Sequence, residues 1–226
     1  MNYPYLLLDA DNTLFDFDRA NRAAFSGVCQ EHDLPDTDEN FHLYEQCNNR
    51  MWAAFDRGEV TKDFLVVQRF RDFLAALGVE RDAEACNHTH LTTLGVSNVL
   101  LPHAEEVCRE LAKDHQLYLV TNAVASVQRE RLRRSTIVPY ITAAFISEEA
   151  GAAKPSTEYF DYVFARIDGI TRDNCIVIGD SLSSDIRGAN NYGLPCCWYN
   201  PKGAARPADL RIDYEITDLR QLLSIV

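Results

Sequence analysis

YLLLDADNT, residues 5–13, is an apolar run that ends in two carboxylates placed two positions apart. Such a run predicts a buried parallel strand, and open α/β sheets bind ligands at the carboxyl ends of their strands. Side chains two residues apart in extended backbone point the same way, so Asp9 and Asp11 can face one reacting group. Carboxylates that close repel each other unless a cation or a proton lies between them. The alternative for this stretch alone is an acidic turn after a strand, because short motifs also occur by chance.

Other segments of the chain repeat the apolar character of residues 5–8. Strands are predicted at 116–120, 144–146, 175–178, 196–199 and, more briefly, 213–216. Helical segments alternate with them at 102–114, 126–134, 155–167 and 183–192, two of them opening at a proline. This alternation predicts an α/β fold with a doubly wound, Rossmann-like parallel sheet.

Residues 16–99 interrupt that alternation. They contain no convincing strand and predict four helices, at 18–32, 40–55, 61–77 and 82–94. In the third, apolar residues recur at helical spacing. We therefore predict an α/β core domain made of residues 1–15 and 100–226, with an all-helical domain of residues 16–99 inserted between the first strand and the rest of the sheet.

Composition and charge narrow the class of protein. The chain has 226 residues, of which 46% are hydrophobic and 25% charged, as in an ordinary globular protein. A formal net charge of -12 argues against binding to a nucleic-acid polymer or an anionic membrane. Seven cysteines without a CxxC pair, and no long apolar segment, predict a cytoplasmic protein with free thiols. The oligomeric state stays open, a monomer included.

Three more polar motifs follow predicted strands. Thr121-Asn122 follows the strand at 116–120, and Lys154-Pro155 follows the one at 144–146. Gly179-Asp180 follows the strand at 175–178, with Asp185 five positions after Asp180. Each motif alone is common: Thr-Asn in turns, Lys-Pro at the start of helices and Gly-Asp at the end of strands. Their shared position at one edge of one sheet predicts that they form a single site together with Asp9 and Asp11.

The set Asp9-x-Asp11-x-Thr13, Thr121-Asn122, Lys154-Pro155 and Gly179-Asp180-(x)4-Asp185 resembles the four motifs of the haloacid dehalogenase superfamily. The resemblance covers nearly the whole chain, and most members of that superfamily are magnesium-dependent phosphatases. It implies that residues 16–99 are an all-helical cap domain and that the substrate is a small phosphomonoester. The superfamily's dehalogenases lack a carboxylate two positions after the nucleophile, so Asp11 favours phosphoryl chemistry.

The resemblance assigns catalytic roles to three residues. Asp9 is the expected nucleophile, which forms an aspartyl-phosphate. Asp11 is the expected general acid, which protonates the leaving oxygen and then acts as the base that activates water. Lys154 is expected to offset the charge of the transferring phosphoryl group and to keep Asp9 ionised. Two steps through a covalent intermediate are easier than one direct hydrolysis.

The resemblance also implies a Mg²⁺ ion. Magnesium takes oxygen ligands and uses only one or two protein carboxylates beside the substrate phosphate. The expected ligands are Asp9, Asp180 and the backbone carbonyl of Asp11. Asp185 is expected to orient a bound water or Lys154 rather than to bind the metal.

Four residues are expected to bind phosphate: Thr13, Thr121, Asn122 and Lys154. Thr121 and the backbone amide of Asn122 would hold the phosphate oxygens. Thr13 would orient the loop that carries Asp9, and its alternative role is a hydroxyl that stabilises a turn.

A narrower resemblance concerns the substrate. LDADNTLF at residues 8–15, with ISEEAG at 146–151, is similar to the 5′-nucleotidases that hydrolyse pyrimidine nucleoside monophosphates. Asn12 stands where most relatives have glycine, and Ala123 replaces the glycine that usually follows Thr-Asn. The alternatives are a sugar-phosphate or phosphoglycolate phosphatase and, from another class, a non-catalytic protein that binds a phosphorylated metabolite.

Aromatic side chains are candidates for substrate recognition. Phe15, Phe17 and Trp52 could stack on a nucleobase, although packing in a hydrophobic core is the favoured explanation for each of them. The arginines outside the motifs are predicted to be surface charges: Arg57 and Arg69 on helices of the insert, and Arg129, Arg131, Arg133 and Arg134 on a solvated helix face. The histidines form no metal-binding pattern, and none is assigned a role.

Overall fold

The computed structural model describes residues 3–226, which form two compact units. One unit contains the chain up to Phe17 together with Asn98–Val226, and the other is Asp18–Ser97. These bounds lie close to those predicted for the core and the insert. The role of the second unit as a cap stays a prediction.

Within residues 3–226, the first unit contains a parallel sheet whose strand order is β3-β2-β1-β4-β5-β6. The strands are β1 (Tyr5–Leu8), β2 (Gln116–Thr121), β3 (Ile141–Ile146), β4 (Cys175–Gly179), β5 (Cys196–Tyr199) and β6 (Tyr214–Ile216). This order is that of a doubly wound sheet, and the direction of winding reverses at β1. The predicted fold class is confirmed.

Strand β1 is central in the sheet and buried on both faces. Leu8 pairs with Leu119 of β2 on one side and with Ile178 of β4 on the other. Leu8 packs into one hydrophobic cluster, whereas its neighbour Leu7 points to the opposite face and packs into another. A strand buried on both faces needs apolar residues at every position, which explains the uninterrupted run before Asp9.

The helices, numbered in chain order, are as follows. The second unit is built from α1 (Phe17–Glu31), α2 (Asp38–Asp56), α3 (Lys62–Leu77) and α4 (Ala83–Val96), and the sheet is accompanied by α5 (Ala104–Leu111), α6 (Ala125–Arg134), α7 (Ser147–Ala150), α8 (Thr157–Phe164) and α9 (Arg187–Tyr192). A single π-helical turn, Leu182–Ile186, leads into α9. Among residues 3–226 there is no helix with both the length and the apolarity to cross a bilayer.

Several predicted boundaries were wrong. Neither Pro102 nor Pro155 begins a helix, because α5 starts at Ala104 and α8 starts after Ser156, whose hydroxyl accepts from the backbone N–H of Tyr159. Strand β3 begins three residues earlier than predicted, at Ile141. It lies at the edge of the sheet, where the first residues are half-exposed, so they lack the continuous apolar signature of a buried strand.

The second unit has capped helices around an aromatic core. Thr37, Thr61 and Asp82 each accept a hydrogen bond from the backbone N–H groups of the helix that follows, which satisfies donors that the helix itself leaves unpaired. In the core, Tyr44 of α2 packs against Phe70 of α3 with ring centroids 5.2 Å apart. These helices therefore form a unit with its own core.

A buried polar network lies in this core around Arg69, which is only 2% exposed. Its guanidinium donates to Asn48 Oδ1 at 2.9 Å and to Asn87 Oδ1 at 3.2 Å, and lies 3.3 Å from His90 Nδ1. His90 Nε2 is 3.0 Å from the hydroxyl of Tyr44. The prediction that Arg69 is a surface charge was wrong, because neutral amide oxygens satisfy it inside the unit.

Burial makes the network sensitive to acid through His90. Burial, followed by the charge of Arg69, lowers the pKa of His90 well below its usual 6.5. The unfolded chain takes up a proton below about pH 6.5 whereas the folded protein does not, so stability is lost as the pH falls through that value. We expect His90→Gln to flatten the decline in unfolding free energy below about pH 6.5, by up to about 1.4 kcal/mol per pH unit.

Urea unfolding, measured at several pH values for the wild type and His90→Gln, checks this expectation. His88, which is exposed on the same helix, offers the matched control, and His88→Gln should keep the slope of the wild type. An unchanged slope in His90→Gln would show that the acid response arises elsewhere.

Candidate active site

The carboxyl ends of β1, β2 and β4 bring the predicted site residues to one edge of the sheet. Asp9 directly follows β1, Thr121 ends β2 and Asp180 directly follows β4. The backbone N–H of Asp9 donates to the carbonyl of Ile178 at 2.8 Å, which continues the β1–β4 pairing into the loop. Lys154, in the loop after α7, reaches the same edge, as the sequence predicted.

Both carboxylate oxygens of Asp9 are held by neighbours. Lys154 Nζ donates to Oδ1 at 2.6 Å, and the hydroxyl of Thr13 donates to Oδ2 at 3.2 Å. The backbone N–H of Asp180 in turn donates to Thr13 Oγ1 at 3.1 Å. Thr13 therefore links the loop after β1 to the loop after β4, and its hydroxyl orients Asp9. Asp9 itself is 7% exposed, so one small part of it is accessible to a ligand.

Lys154 is buried with all three N–H donors of its ammonium group engaged. Nζ donates to Asp9 Oδ1, to Asp185 Oδ1 and to the carbonyl of Val120, each at 2.6 Å. Lys154 is 1% exposed and Asp185 is fully buried. Removing the ammonium group would leave the Asp9 and Asp185 carboxylates buried without a counter-charge, which is a costly state.

The charges at the site are unbalanced. Burial and the charge of Asp185 raise the pKa of Asp9 to about 7, against the opposing effect of Lys154. Burial and the charge of Asp9 raise the pKa of Asp180 to about 8. Burial disfavours the charged form of Lys154, but Asp185 and Asp9 outweigh it and raise the pKa of the ammonium group. Asp9 and Asp185 share the ammonium group of Lys154, and Asp180 lies close to both carboxylates, so acidic groups outnumber the one ammonium group here.

The same residues fit a divalent cation. Carboxylate oxygens of Asp9, Asp180 and Asp185 all lie within 4.8 Å of one another. Hard oxygen donors of this kind suit Mg²⁺, and its charge would offset the repulsion between carboxylates that adds to burial in raising the two pKa values. Asp185 already accepts hydrogen bonds through both oxygens, from Lys154 and from the backbone N–H of Ser181. Asp9 also accepts two hydrogen bonds, but Asp9 and Asp180 are partly accessible whereas Asp185 is fully buried. Asp9 and Asp180 are therefore the carboxylates better able to bind the ion.

Glycine is required at position 179 by Asp185. A Cβ atom at Gly179 would lie 2.3 Å from Asp185 Cγ, far inside van der Waals contact. The carboxylate therefore packs directly on the backbone where β4 ends. This explains why Gly179 precedes Asp180 in the motif.

The residue that replaces a glycine in the first motif has a left-handed backbone. Asn12 has φ of 58°, a region that asparagine enters more readily than other residues with a Cβ. Its N–H donates to the carbonyl of Phe15 at 2.8 Å, which closes the turn after Asp11. The loop is therefore compatible with Asn12.

Thr121 and Asn122 stabilise the loops around the site. The Thr121 hydroxyl accepts from the backbone N–H of Ala123 at 3.1 Å. The Asn122 side chain donates to the carbonyl of Lys154 at 2.8 Å and accepts from the Lys154 N–H at 3.0 Å. Asn122 thereby fixes the backbone from which Lys154 extends. The predicted role of both residues in phosphate binding stays a prediction.

Asp11 pairs with a residue that the sequence analysis placed on the surface. Its side chain is 26% exposed and accepts a hydrogen bond from the guanidinium of Arg131, which is 1% exposed. The prediction that Arg131 belongs to a solvated helix face was wrong. Arg131 follows the buried Val127 by one helical turn and so lies on the inner face of α6, a spacing that could have identified it.

The candidate specificity residues differ in their accessibility. Phe15 is fully buried in the core of the sheet unit, so the prediction that it stacks on a substrate is not supported. Phe17 and Trp52 are half-buried. Trp52 packs edge-on against Phe55 with ring centroids 5.6 Å apart, within the helical unit.

Trp198 was not singled out from the sequence. It lies in β5, and its indole N–H donates to the backbone carbonyl of Asp180 at 2.9 Å. The indole is 2% exposed, and it fixes the loop that carries Asp180 from the neighbouring strand. The sequence carried no signal for this contact, because tryptophan in an apolar strand predicts only core packing.

Comparisons with known proteins place this arrangement in a family. Residues 3–193 match the family model of the haloacid dehalogenase-like hydrolases. HAD-hydrolase YfnB of Bacillus subtilis (strain 168) is 34% identical over 224 residues, which is 99% of this chain and 95% of the relative. A crystal structure of YfnB bound to magnesium, in which interdomain movement was found, matches with a TM-score of 0.95 and covers 100% of this chain and 99% of that one.

Two relatives are named for an activity. Pyrimidine 5'-nucleotidase PynA of Streptococcus pneumoniae (strain ATCC BAA-255 / R6) is 31% identical and covers 99% of this chain and 94% of the relative. Pyrimidine 5'-nucleotidase YjjG of Escherichia coli (strain K12) is 28% identical, and the match covers 98% of this chain and 97% of the relative. The family match and the full-length similarity confirm the resemblance drawn from the motifs. The chain belongs to the haloacid dehalogenase-like hydrolase family.

Proposed function

We propose that this protein is a magnesium-dependent phosphatase that hydrolyses nucleoside 5′-monophosphates, with pyrimidines preferred, through an aspartyl-phosphate. The observation that carries the proposal is Asp9, whose two oxygens are fixed by Lys154 and Thr13 at the active edge of the sheet. An ordered, nearly buried carboxylate beside a lysine suits a nucleophile that attacks a phosphate.

The reaction has two steps. In the first, an Asp9 oxygen forms a bond to phosphorus while the bond from phosphorus to the ester oxygen breaks. Asp11 gives its proton to that oxygen, which leaves as an alcohol. In the second, water attacks the same phosphorus, Asp11 takes up a proton from the water, and Asp9 leaves as a carboxylate with release of inorganic phosphate.

Other residues stabilise the phosphoryl group in this proposal. Lys154, which donates to Asp9, offsets negative charge at the site. Thr121 and the backbone amide of Asn122 bind phosphate oxygens at the end of β2. Hydrogen-bond donors that are already in position need no reorganisation during the reaction. The two hydrogen bonds between the Asn122 side chain and the Lys154 backbone hold Lys154 in position.

Magnesium would be held by Asp9, Asp180 and the backbone carbonyl of Asp11, and it would supply positive charge for the transferring phosphoryl group. The fit of the carboxylate set and the magnesium-bound structure of YfnB support this assignment. Asp185 acts through Lys154 and the backbone of Ser181.

The preference for pyrimidine nucleotides rests on similarity to PynA and YjjG. Residues 16–99 are proposed to be the cap domain that sets the substrate, with Phe17 and Trp52 as its aromatic candidates. The described cysteines, all buried, are free thiols, which supports a reducing compartment such as the cytoplasm.

Phosphate release from a panel of substrates tests the proposal. We expect release led by UMP, dUMP or dTMP, with weaker release from purine nucleotides, sugar phosphates and phosphoglycolate, and loss of release in excess chelator. Release led by a sugar phosphate or by phosphoglycolate would retain the mechanism and reject the substrate. Release that persists in chelator would reject the metal, and no release from any substrate would favour a binding role.

A further inference from the structure

The pairing of Asp11 with Arg131 singles out one arginine of α6. Arg133 and Arg134 are exposed and pair with Glu130 on the same helix, at 2.7 and 2.6 Å. Arg131 instead is buried, and its charged partner Asp11 lies 120 positions away in the chain. Exposed pairs within a helix contribute little, whereas burying a guanidinium is costly unless its contacts compensate.

Neighbouring groups hold the guanidinium in place. It lies over the ring of Phe15, 4.5 Å from the ring centroid, and donates to Gln128 Oε1 at 3.3 Å. Phe15 and Gln128 are both fully buried. The planar guanidinium thus contacts a ring and donates to an amide oxygen while it also donates to Asp11, a combination that a lysine ammonium would not reproduce.

The helix that carries Arg131 is itself anchored. The backbone N–H of Ala125, at the start of α6, donates to Glu148 of α7 at 3.0 Å. Arg129 donates to both carboxylate oxygens of Glu149, at 2.9 and 2.6 Å. Two contacts thus join α6 to α7, and the burial of Val127, Arg131 and Leu132 fixes the inner face of α6 on the sheet unit.

We propose that Arg131 is the positioning residue for the general acid Asp11, an inference that rests on the proposed function. When the bond from phosphorus to the ester oxygen breaks, the proton of Asp11 passes to that oxygen and negative charge develops on the Asp11 carboxylate. The fixed guanidinium of Arg131 stabilises this charge and holds the carboxylate in the orientation needed for proton transfer.

The test uses the fact that acid catalysis matters only when the leaving group is poor. For UMP the leaving group is an alkoxide, which needs the proton, whereas p-nitrophenyl phosphate releases a stabilised phenolate, which does not. General acid catalysis typically contributes about 10²–10⁴-fold. We expect Arg131→Met to lower kcat/KM for UMP by at least about tenfold more than kcat/KM for p-nitrophenyl phosphate.

The ratio of the two kcat/KM values is independent of how much of the variant is correctly folded. Asp11→Asn should change the ratio in the same direction and further than Arg131→Met does. Arg131→Lys, which keeps the charge and the stem, should recover part of the loss. In the Asp11→Asn background, adding Arg131→Met should lower kcat/KM for UMP less than about twofold, because the two residues act as one unit.

Arg133→Met is the matched control, since Arg133 is exposed on the same helix and should leave the ratio unchanged. Equal losses on both substrates in Arg131→Met, with the expected change of ratio in Asp11→Asn, would overturn the inference and leave the proposed function intact. A full additional loss in the double variant would overturn it too. If Asp11→Asn did not change the ratio of the two kcat/KM values, or if the wild type hydrolysed neither substrate, both this inference and the proposed function would be overturned.

Discussion

Replacing Asp9 with asparagine is expected to lower the rate of phosphate release by roughly 10⁴-fold or more, because the variant lacks the oxygen nucleophile. Asparagine has nearly the same shape. Its Oδ1 can still accept the hydrogen bond from Lys154, which Asp9 accepts at 2.6 Å, and its amide N–H can donate to the Thr13 hydroxyl, which lies 3.2 Å from Asp9 Oδ2. The fold should therefore survive the change. The measurement is the steady-state rate with the best substrate of the panel, beside the circular dichroism spectrum of each protein.

Asp173→Asn is the control for this prediction. Asp173 is an exposed aspartate of the same unit, and its replacement removes the same charge without touching the site. It should retain the activity of the wild type. After acid quenching during turnover, wild-type protein should carry phosphate on Asp9, detectable by mass spectrometry, and Asp9→Asn should not. Turnover by Asp9→Asn at the rate of the wild type would mean that another residue is the nucleophile.

Replacing Lys154 with methionine is expected to lower the free energy of unfolding by about 3–5 kcal/mol. The ammonium group is shared by Asp9 and Asp185, both at 2.6 Å, and Lys154 is 1% exposed. Its removal leaves two buried carboxylates facing each other without a counter-charge. Activity should be lost as well, because Asp9 is then no longer oriented and the charge on the phosphoryl group is no longer offset.

Urea unfolding of the variants measures this effect. Lys113→Met is the control, because Lys113 pairs with Glu110 at the surface and its loss should change stability by less than about 0.5 kcal/mol. Adding Asp185→Asn to Lys154→Met should restore part of the lost stability, since one uncompensated carboxylate is removed. If Lys154→Met lowered the free energy of unfolding no more than Lys113→Met does, the buried ion pairs of Lys154 with Asp9 and Asp185 would not stabilise the fold.

The features that the sequence predicted well share one physical basis. Strand β1 is buried on both faces, so its residues had to be apolar, and its end had to be marked by the first polar residue, Asp9. The same reasoning located β2 and β4, whose ends carry Thr121 and Asp180. Because parallel strands end at a common edge, the motifs predicted a shared site without knowledge of any distance.

The features that were missed depend on which way a long side chain points. Arginines at 129, 131, 133 and 134 look alike in sequence, yet Arg131 is the buried one among them. Arg69 of α3 is likewise buried, and its guanidinium donates to amide oxygens of the two flanking helices, α2 and α4, which lie 21 and 18 positions away. Local charge patterns do not show such partners, because they come from elements that only folding brings together.

Edges and short elements were the other source of error. The first residues of β3 are half-exposed at the sheet edge and were left out of the predicted strand. Helix α7 spans only Ser147–Ala150 and is too short to show helical periodicity, although it provides Glu148 and Glu149, which anchor α6. Short elements are set by their tertiary contacts more than by their own sequence.

The hydrogen bond from Trp198 to the carbonyl of Asp180 gives the protein an optical reporter. The sequence contains two tryptophans, and the other, Trp52, lies in the helical unit. In a Trp52→Phe protein, all indole emission would come from Trp198, which is hydrogen-bonded to the backbone of the proposed metal ligand Asp180. In a Trp198→Phe protein, all indole emission would come from Trp52 in the helical unit. Each half of the molecule can therefore be followed by its own fluorescence, without an attached dye.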